Sequence, residues 1–212
     1  MDNLPPVILA SASPRRSQLL ASMDIEFEVV PSHVEELIDG YDFIPDLCEA
    51  NARIKAEPIA DMHPECLVIA ADTMVYLEDT LYGKPTDIDD AHRMLTRLQG
   101  RTHQVTTGVS LIYHNEEISK SFSVITNVTF LSLDAGQISE YLAKIDPLDK
   151  AGGYALQGGA ARFVLGTGLA RAPGRLGRLV ARLGFGSDVG AWRRRGPSRS
   201  ALRAWPGPPA LA

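Results

Sequence analysis

Short apolar runs alternate with amphipathic stretches over the first three quarters of the chain. Five runs rich in branched and aromatic residues are typical of β-strands, and four segments with apolar residues three or four positions apart are typical of α-helices. Strands mixed with helices predict an α/β fold, in which helices flank a mixed, twisted sheet. The predicted strands cover residues 7–10, 27–30, 67–71, 105–113 and 123–131, and the predicted helices cover 14–23, 45–57, 87–99 and 135–145.

Turn and breaker residues refine this prediction. Pro58 predicts an end or a kink in the second helix, and Gly100 predicts the end of the third. Residues 76–82 resemble a hairpin, and residues 114–117 are expected to join two antiparallel strands.

Composition narrows the class of protein. The 212 residues are 45% hydrophobic, which predicts one globular domain, alone or with an appendage. No apolar run approaches the ~20 residues of a membrane span, and the acidic start has no signal-peptide pattern. Cys48 and Cys66 are isolated in the sequence, which predicts a protein of the reducing cytoplasm. The histidines lack partners at metal-ligand spacing, so no zinc site is predicted. His103 is interpreted as a structural hydrogen-bonding group.

Charge divides the chain in two. Residues 1–164 hold 12 basic and 25 acidic residues, a net charge of −13, whereas residues 165–212 hold nine arginines and one acid, a net charge of +8. The second segment is rich in Arg, Gly, Ala and Pro, which predicts a disordered tail after one short helix. Removing residues from about Gly166 onward is therefore expected to leave fold and activity unchanged.

The segment SASPRR joins the first predicted strand to the first predicted helix. Ser13 suits the N-cap position, and Pro14 suits the first helical turn. A helix N-terminus attracts anions and disfavours cations. The adjacent Arg15 and Arg16 are therefore explained by a bound polyphosphate, the alternative being a capped helix with two solvated arginines.

Other polar residues follow predicted strands or lie in loops. Asp72, after an apolar run, is a candidate for binding a metal ion or orienting a water molecule rather than capping a turn. Glu36, Lys55 and Lys84 lie in VEE, NARIKA and YGKP, motifs that are also common on solvated surfaces. Gln157 lies in the glycine-rich stretch DKAGGYALQG, which is hard to explain as core.

Seven motifs together resemble the Maf family of nucleoside triphosphate pyrophosphatases, in order and in spacing, from about Val7 to Val164. The resemblance implies an inosine-triphosphatase-like fold with a cleft between two lobes. It also implies hydrolysis between the α- and β-phosphates, which yields a nucleoside monophosphate and pyrophosphate. The implied cofactor is a divalent cation, Mg²⁺ or Mn²⁺. The combination of SPRR, ADT and YALQG is similar to the branch that acts on dTTP and UTP rather than on 7-methyl-GTP. The seven motifs are SASPRR, VEE, NARIKA, ADTMV, GKP, GRTHQVTTGV and DKAGGYALQG.

The resemblance gives the candidate residues their roles. Asp72 would accept a proton from the attacking water and, with Glu36, would hold the metal ion. The specificity positions would be Arg15, Thr73 and Gln157, and a glutamine amide matches the N3–H and O4 edge of uracil or thymine. The full set of predicted substrate-binding residues is Ser13, Arg15, Arg16, Lys55, Thr73, Lys84 and Gln157.

Two functions follow from this site. The first is a pyrophosphatase that hydrolyses dTTP and UTP, and the second is a non-catalytic regulator of cell division that senses nucleotides with the same cleft. Asp72, Lys55 and Lys84 favour the enzyme, because a sensor does not need a base. A nucleoside triphosphate is the expected partner, a homodimer stays open, and neither a membrane nor nucleic acid is expected.

The tail departs from the family pattern. The family continues with a segment resembling I-x-G-S-Y-x-N-V-V-G-L-P and a closing helix, whereas this chain reads LGTGLARAPGRLGRLVARLG. A shifted reading frame or a basic extension for nucleic acid explains such a tail. The domain of residues 1–164 would then lack the family's last strand and helix.

Overall fold

The computed structural model describes residues 5–23, 25–155 and 159–171. In this part of the chain, no helix is long and apolar enough to cross a membrane. The elements, in chain order, are β1 Val7–Leu9, α1 Pro14–Ala21, β2 Glu28–Val29, α2 Ile44–Met62, β3 Leu67–Leu77, β4 Thr80–Tyr82, α3 Ile88–Leu98, β5 Thr102–Tyr113, β6 Ile118–Phe130, α4 Ala135–Leu142 and β7 Val164–Arg171, with 3₁₀ turns at His114–Glu116, Ala151–Gly153 and Ala160–Phe163.

The strands of the described residues form one sheet in the order β2-β1-β3-β5-β6-β7, and β4 pairs with β3 beside this row. β1 runs parallel to both β2 and β3, and all other neighbours run antiparallel. The predicted mixed sheet with flanking helices is confirmed. The predicted hairpin is the β3–β4 pair, and the predicted strand pair around residues 114–117 is β5–β6.

Two of the apolar clusters among the described residues mark the two lobes, and β3 contributes to both. Val68 and Ala70 pack in a cluster with β1 and α2, whereas Val75 and Leu77 pack in a cluster with α3 and α4. Asp72 lies where the strand passes from one cluster to the other. The cleft between the lobes therefore meets the sheet at an acidic residue.

The long strand β3 corrects the sequence prediction. The apolar run ends at residue 71, but the strand continues to Leu77, so Asp72 and Thr73 lie inside the strand rather than at its end. The reason is tertiary, because β5 pairs with β3 without interruption from Val68 to Tyr76. Backbone pairing holds an acidic residue in the strand despite its low strand propensity.

The helix α2 is also longer than predicted. It continues past Pro58 to Met62, although proline lacks an N–H donor and disfavours a helix interior. Ile59 and Ala60, which follow the proline, are buried in the cluster with β1 and β3. Burial of these side chains stabilises the additional turn.

The contact between α2 and β5 is unusually close at Gly108. A Cβ atom there would lie 2.3 Å from both the carbonyl carbon and the carbonyl oxygen of Cys48, so only a hydrogen atom fits. Gly108 is the register partner of Asp72 across the β3–β5 pair. The contact therefore fixes α2, and with it Asn51 and Lys55, over the part of the sheet that carries Asp72.

The strand β7 begins at Val164, the last residue of the predicted domain. Residues 164–171 pair with β6, because backbone N–H and C=O groups form a ladder even where glycine and alanine leave no apolar alternation. Residues 165–171 of the predicted tail thus belong to the sheet, and deletion from Gly166 would remove most of β7, contrary to the expectation that it leaves the fold unchanged. Residues 172–212, with the predicted helix and disorder, lie outside the described residues.

His103 packs inside the lobe that contains α3 and α4. Its ring is 1% exposed and lies edge-on to Phe130 and Tyr154, and its Nε2 forms a 2.7 Å hydrogen bond with the Tyr154 hydroxyl. Burial lowers the pKa of His103 from 6.5 to about 4. The imidazole is therefore a neutral structural group at pH 7, as the sequence suggests.

We expect this burial to make the folded state acid-sensitive. The unfolded chain binds a proton at His103 as the pH falls below 6.5, whereas the folded chain binds it only near pH 4, so stability is complete above pH 6.5 and is lost towards pH 4. The loss is roughly 3 kcal/mol at about 1.4 kcal/mol per pH unit. Denaturant unfolding at several pH values measures the free energy of unfolding of the wild type and of His103→Gln. In the variant, this free energy should depend less on pH between 6.5 and about 4. The matched control is His33→Gln, which removes an exposed imidazole and should lose as much stability at acidic pH as the wild type. If the stability of His103→Gln depends on pH as strongly as that of the wild type, the prediction is contradicted.

Candidate active site

The cleft between the lobes has a volume of about 450 Å³. Gln157, the ninth predicted site residue, lies outside the described residues, so its role as a reader of the base stays a prediction. The other eight line the cleft: Ser13, Arg15, Arg16, Glu36, Lys55, Asp72, Thr73 and Lys84.

At the floor of the cleft, one lysine joins two carboxylates. The Nζ of Lys55, on α2, lies 2.6 Å from Oδ1 of Asp72 and 2.8 Å from Oε1 of Glu36. The side chains of Lys55 and Asp72 are 12% and 6% exposed, whereas that of Glu36 is 44% exposed. Poor access to solvent strengthens the charge attraction between Lys55 and Asp72, so this pair is the fixed part of the site and Glu36 is its open edge.

The surroundings of the Glu36 side chain favour the charged form of its carboxyl group. Partial burial raises the pKa of this carboxyl, but the hydrogen bond and charge of Lys55 and the charges of Lys84 and Arg16 outweigh it, so the pKa of Glu36 is below its usual range. Glu36 is therefore an anion at neutral pH. This anion therefore lies among the positive charges of Lys55, Lys84 and Arg16.

Arg16 points into the cleft from the first turn of α1. Its guanidinium donates to Oγ of Ser11 at 3.0 Å and to Oγ1 of Thr73 at 3.4 Å. Thr73 in turn shares a 3.1 Å hydrogen bond with the hydroxyl of Thr107 on β5. Burial lowers the pKa of Arg16, and the charge of Asp72 opposes this shift. The arginine keeps its charge, since its reference pKa is far above neutral.

The remaining cations come from segments beside the cleft. Arg15 follows Pro14 in the first turn of α1, whose N-cap residue is Ser13. The Ser13 side chain makes no capping hydrogen bond within the described residues, which leaves its hydroxyl available to a ligand. Lys84 is exposed in the loop after β4, and the carbonyl of Gly83 in this loop accepts a 2.9 Å hydrogen bond from the Gly152 N–H.

The site also contains polar residues that lie outside the set predicted from the sequence. Ser11 and Thr107 hold Arg16 and Thr73 through hydroxyl groups, and buried Asn51 reaches Asp72 from α2. Asn51 carries a signal in the sequence, because it lies four residues before Lys55 and therefore on the same helix face. Ser11 and Thr107 lie inside SASPRR and GRTHQVTTGV without any feature that separates them from their neighbours.

The donor set suits a divalent cation. Carboxylate oxygens are the ligands that Mg²⁺ and Mn²⁺ prefer, and Glu36 and Asp72 present such oxygens close together, since both contact one ammonium group. Among the described residues, the second oxygen of Glu36 has no hydrogen-bond partner, and that of Asp72 has only the long 3.5 Å approach of Asn51 Nδ2, which leaves lone pairs for a ligand. The two predicted metal ligands therefore fit the ion.

Comparisons with known proteins agree with the motifs. The family model described as Maf-like protein matches residues 6–168. The dTTP/UTP pyrophosphatase of Bacillus cytotoxicus is 45% identical over 157 residues, which cover 74% of this chain and 81% of the relative. The enzyme of the same name from Myxococcus xanthus is 46% identical over 160 residues, which cover 76% and 80%. Among solved structures, the Staphylococcus aureus Ham1 protein has a TM-score of 0.44 at 18% identity, over 59% of this chain and 71% of that chain. The family model spans most of this chain, and the alignments with relatives above 40% identity cover most of each relative's length. This chain therefore belongs to the Maf-like protein family.

Proposed function

We propose that this chain hydrolyses dTTP and UTP to the monophosphate and pyrophosphate. The observation that carries the proposal is the buried carboxylate of Asp72, paired with Lys55 in a cleft where several cations and Glu36 converge. This combination suits the hydrolysis of a phosphoanhydride, in which the protein neutralises charge and aligns the attacking water instead of attacking the phosphorus itself. Two relatives above 40% identity carry the name dTTP/UTP pyrophosphatase, which supports the choice of substrates.

The residues of the cleft divide the reaction between them. Arg15, Arg16 and Lys84 bind the triphosphate, each cation offsetting negative charge that would otherwise repel the nucleophile. The oxygen of a water molecule adds to the α-phosphorus, the bond from this phosphorus to the bridging oxygen breaks, and pyrophosphate leaves with the bonding electrons. Asp72 accepts the proton that the water loses, and Lys55 holds the Asp72 carboxylate in place.

A divalent cation, Mg²⁺ or Mn²⁺, completes the proposed site. Glu36 and Asp72 would hold it, and when bound it would neutralise charge on the phosphate oxygens. Thr73 and Gln157 would separate pyrimidine from purine substrates, Thr73 from a hydroxyl already held by Thr107 and Arg16. Because the carboxylate pair and the lysine are assembled in one place, the arrangement favours an enzyme over a nucleotide sensor.

We place this activity in the cytoplasm, where nucleoside triphosphates are available. Cys48 and Cys66 are both free thiols and both buried, which fits a reducing compartment. A homodimer stays a prediction.

Substrate ranking tests the proposal. We expect pyrophosphate release from dTTP and UTP to exceed release from ATP, GTP and 7-methyl-GTP, because the predicted reader of the base matches the uracil edge. The full-length chain is assayed with Mg²⁺ and with Mn²⁺, and phosphorus NMR identifies the products. Release of inorganic phosphate instead of pyrophosphate contradicts the proposed bond, and preference for 7-methyl-GTP contradicts the roles of Thr73 and Gln157.

A further inference from the structure

One fully buried amide connects the two carboxylate-bearing segments of the cleft. Asn51 is 0% exposed in α2. Its Oδ1 accepts a 2.7 Å hydrogen bond from the Leu37 N–H, and its Nδ2 donates to the Leu37 carbonyl at 2.9 Å. The same Nδ2 lies 3.5 Å from Oδ2 of Asp72. A single side chain thus contacts the backbone next to Glu36 and the carboxylate of Asp72.

The two oxygens of the Asp72 carboxylate have different partners. Lys55 takes Oδ1, and Asn51 approaches Oδ2. Asn51 and Lys55 are four residues apart, so α2 presents both from one face. A carboxylate with a partner at each oxygen has its plane fixed, which is a requirement for accepting a proton from a water molecule in line with the phosphorus.

The segment that carries Glu36 depends on few contacts. Residues 31–42 form neither helix nor strand. In the described part of the chain, their hydrogen bonds are the two between Leu37 and Asn51 and the one between Glu36 and Lys55. The Leu37 pair imitates the double hydrogen bond of a strand partner, and it anchors the backbone one residue from Glu36.

We propose that Asn51 is a positioning residue of this site. It anchors the Glu36 segment to α2 and orients the Asp72 carboxylate, and it acts through these two groups rather than by touching the substrate. Its effect on catalysis rests on the proposed function, whereas its effect on the Leu37 backbone does not.

Asn51→Ala removes all three contacts. We expect hydrogen exchange of the Leu37 amide to accelerate at least ~10-fold, because this amide loses its partner. We also expect kcat for UTP to fall by about 10- to 100-fold with a smaller change in KM, since a displaced base and loop impair the reaction more than they impair phosphate binding. The matched control is Ile59→Val, a mild core change on α2 in the cluster with β1 and β3, which should alter neither value.

A second variant guards against misfolding. Asn51→Asp keeps the size and the acceptor for the Leu37 N–H, but it loses the donor to the Leu37 carbonyl and to Asp72 and adds a carboxylate beside both. Leu37 exchange should therefore accelerate less than in Asn51→Ala, because the N–H keeps its acceptor, while kcat falls as in Asn51→Ala.

Two results distinguish this inference from the proposed function. Wild-type Leu37 exchange in a folded Asn51→Ala, or a kcat within two-fold of Ile59→Val in both Asn51 variants, overturns the positioning role. If the wild type releases no pyrophosphate from dTTP or UTP, the proposed function fails, and the exchange measurement still decides whether Asn51 anchors the loop.

Discussion

Replacing Asp72 with asparagine is expected to lower kcat for dTTP and UTP by at least ~100-fold while nucleotide binding persists. The amide keeps the shape of the side chain, but it cannot accept the proton of the attacking water or match the charge of a metal ion. Lys55, which lies 2.6 Å from Oδ1, also loses the more buried of the two anions that it contacts and keeps Glu36. Steady-state pyrophosphate release and equilibrium binding of a non-hydrolysable UTP analogue measure the two effects separately.

Asp61→Asn is the matched control for this variant. Asp61→Asn replaces an exposed aspartate on α2, where it contacts His114 outside the cleft. This variant should keep wild-type kcat. Near-normal turnover in Asp72→Asn contradicts the role of Asp72 and moves the base elsewhere, with Glu36 the next candidate.

Gly108→Ala is expected to cost at least ~3 kcal/mol of the free energy of unfolding, at the upper end of overpacking effects. The added methyl group would lie 2.3 Å from the backbone of Cys48 and 2.6 Å from the Glu49 nitrogen, and backbone atoms of a packed helix cannot turn aside as a flexible side chain can. The helix must shift away from β5, which moves Asn51 and Lys55 away from Asp72. Denaturant unfolding measures the loss, and kcat of the protein that remains folded should fall as well.

Gly166→Ala is the control for this change. Gly166 also lies in a strand, but a Cβ atom there would meet nothing within 4 Å among the described residues, so stability should stay within ~0.5 kcal/mol of the wild type. Equal unfolding midpoints for the two variants would show that α2 tolerates displacement, and that the close contact does not position the site.

The candidate site could be predicted from the sequence because its chemistry is carried by unusual residue types in short motifs. Two adjacent arginines are unfavourable at a helix start unless an anion binds there, and an acid after an apolar run has few uses other than binding or reaction. Arg15, Arg16 and Asp72 stand out for this reason, and they line one cleft in the structure. Lys55 and Glu36 look ordinary alone, and their pairing with Asp72 is visible only when the chain is folded.

The parts that could not be predicted depend on tertiary partners. Asn51 shares a helix face with Lys55, but its burial is not visible in the sequence, because it follows from the approach of the Glu36 segment. Gly108 has no positional signal in a strand, because the backbone of α2 that excludes a side chain comes from sixty residues earlier in the chain. The strand β7 has no clear signal in the sequence, because its glycines hide the alternation that marks a strand, and the edge of β6 supplies its pairing.

The uninterrupted pairing of β3 with β5 also limits how the enzyme can move. Domain closure by a hinge needs a few residues that are free to change φ and ψ, but Asp72 and Thr73 are paired with Gly108 and Thr107 where the lobes meet. The lobes can therefore shift only by bending or twisting the sheet as a whole. Adaptation to a ligand falls to the loops around Glu36 and Lys84, while Asp72, the proposed base, and Lys55 keep a fixed geometry that requires no reorganisation at the moment of reaction.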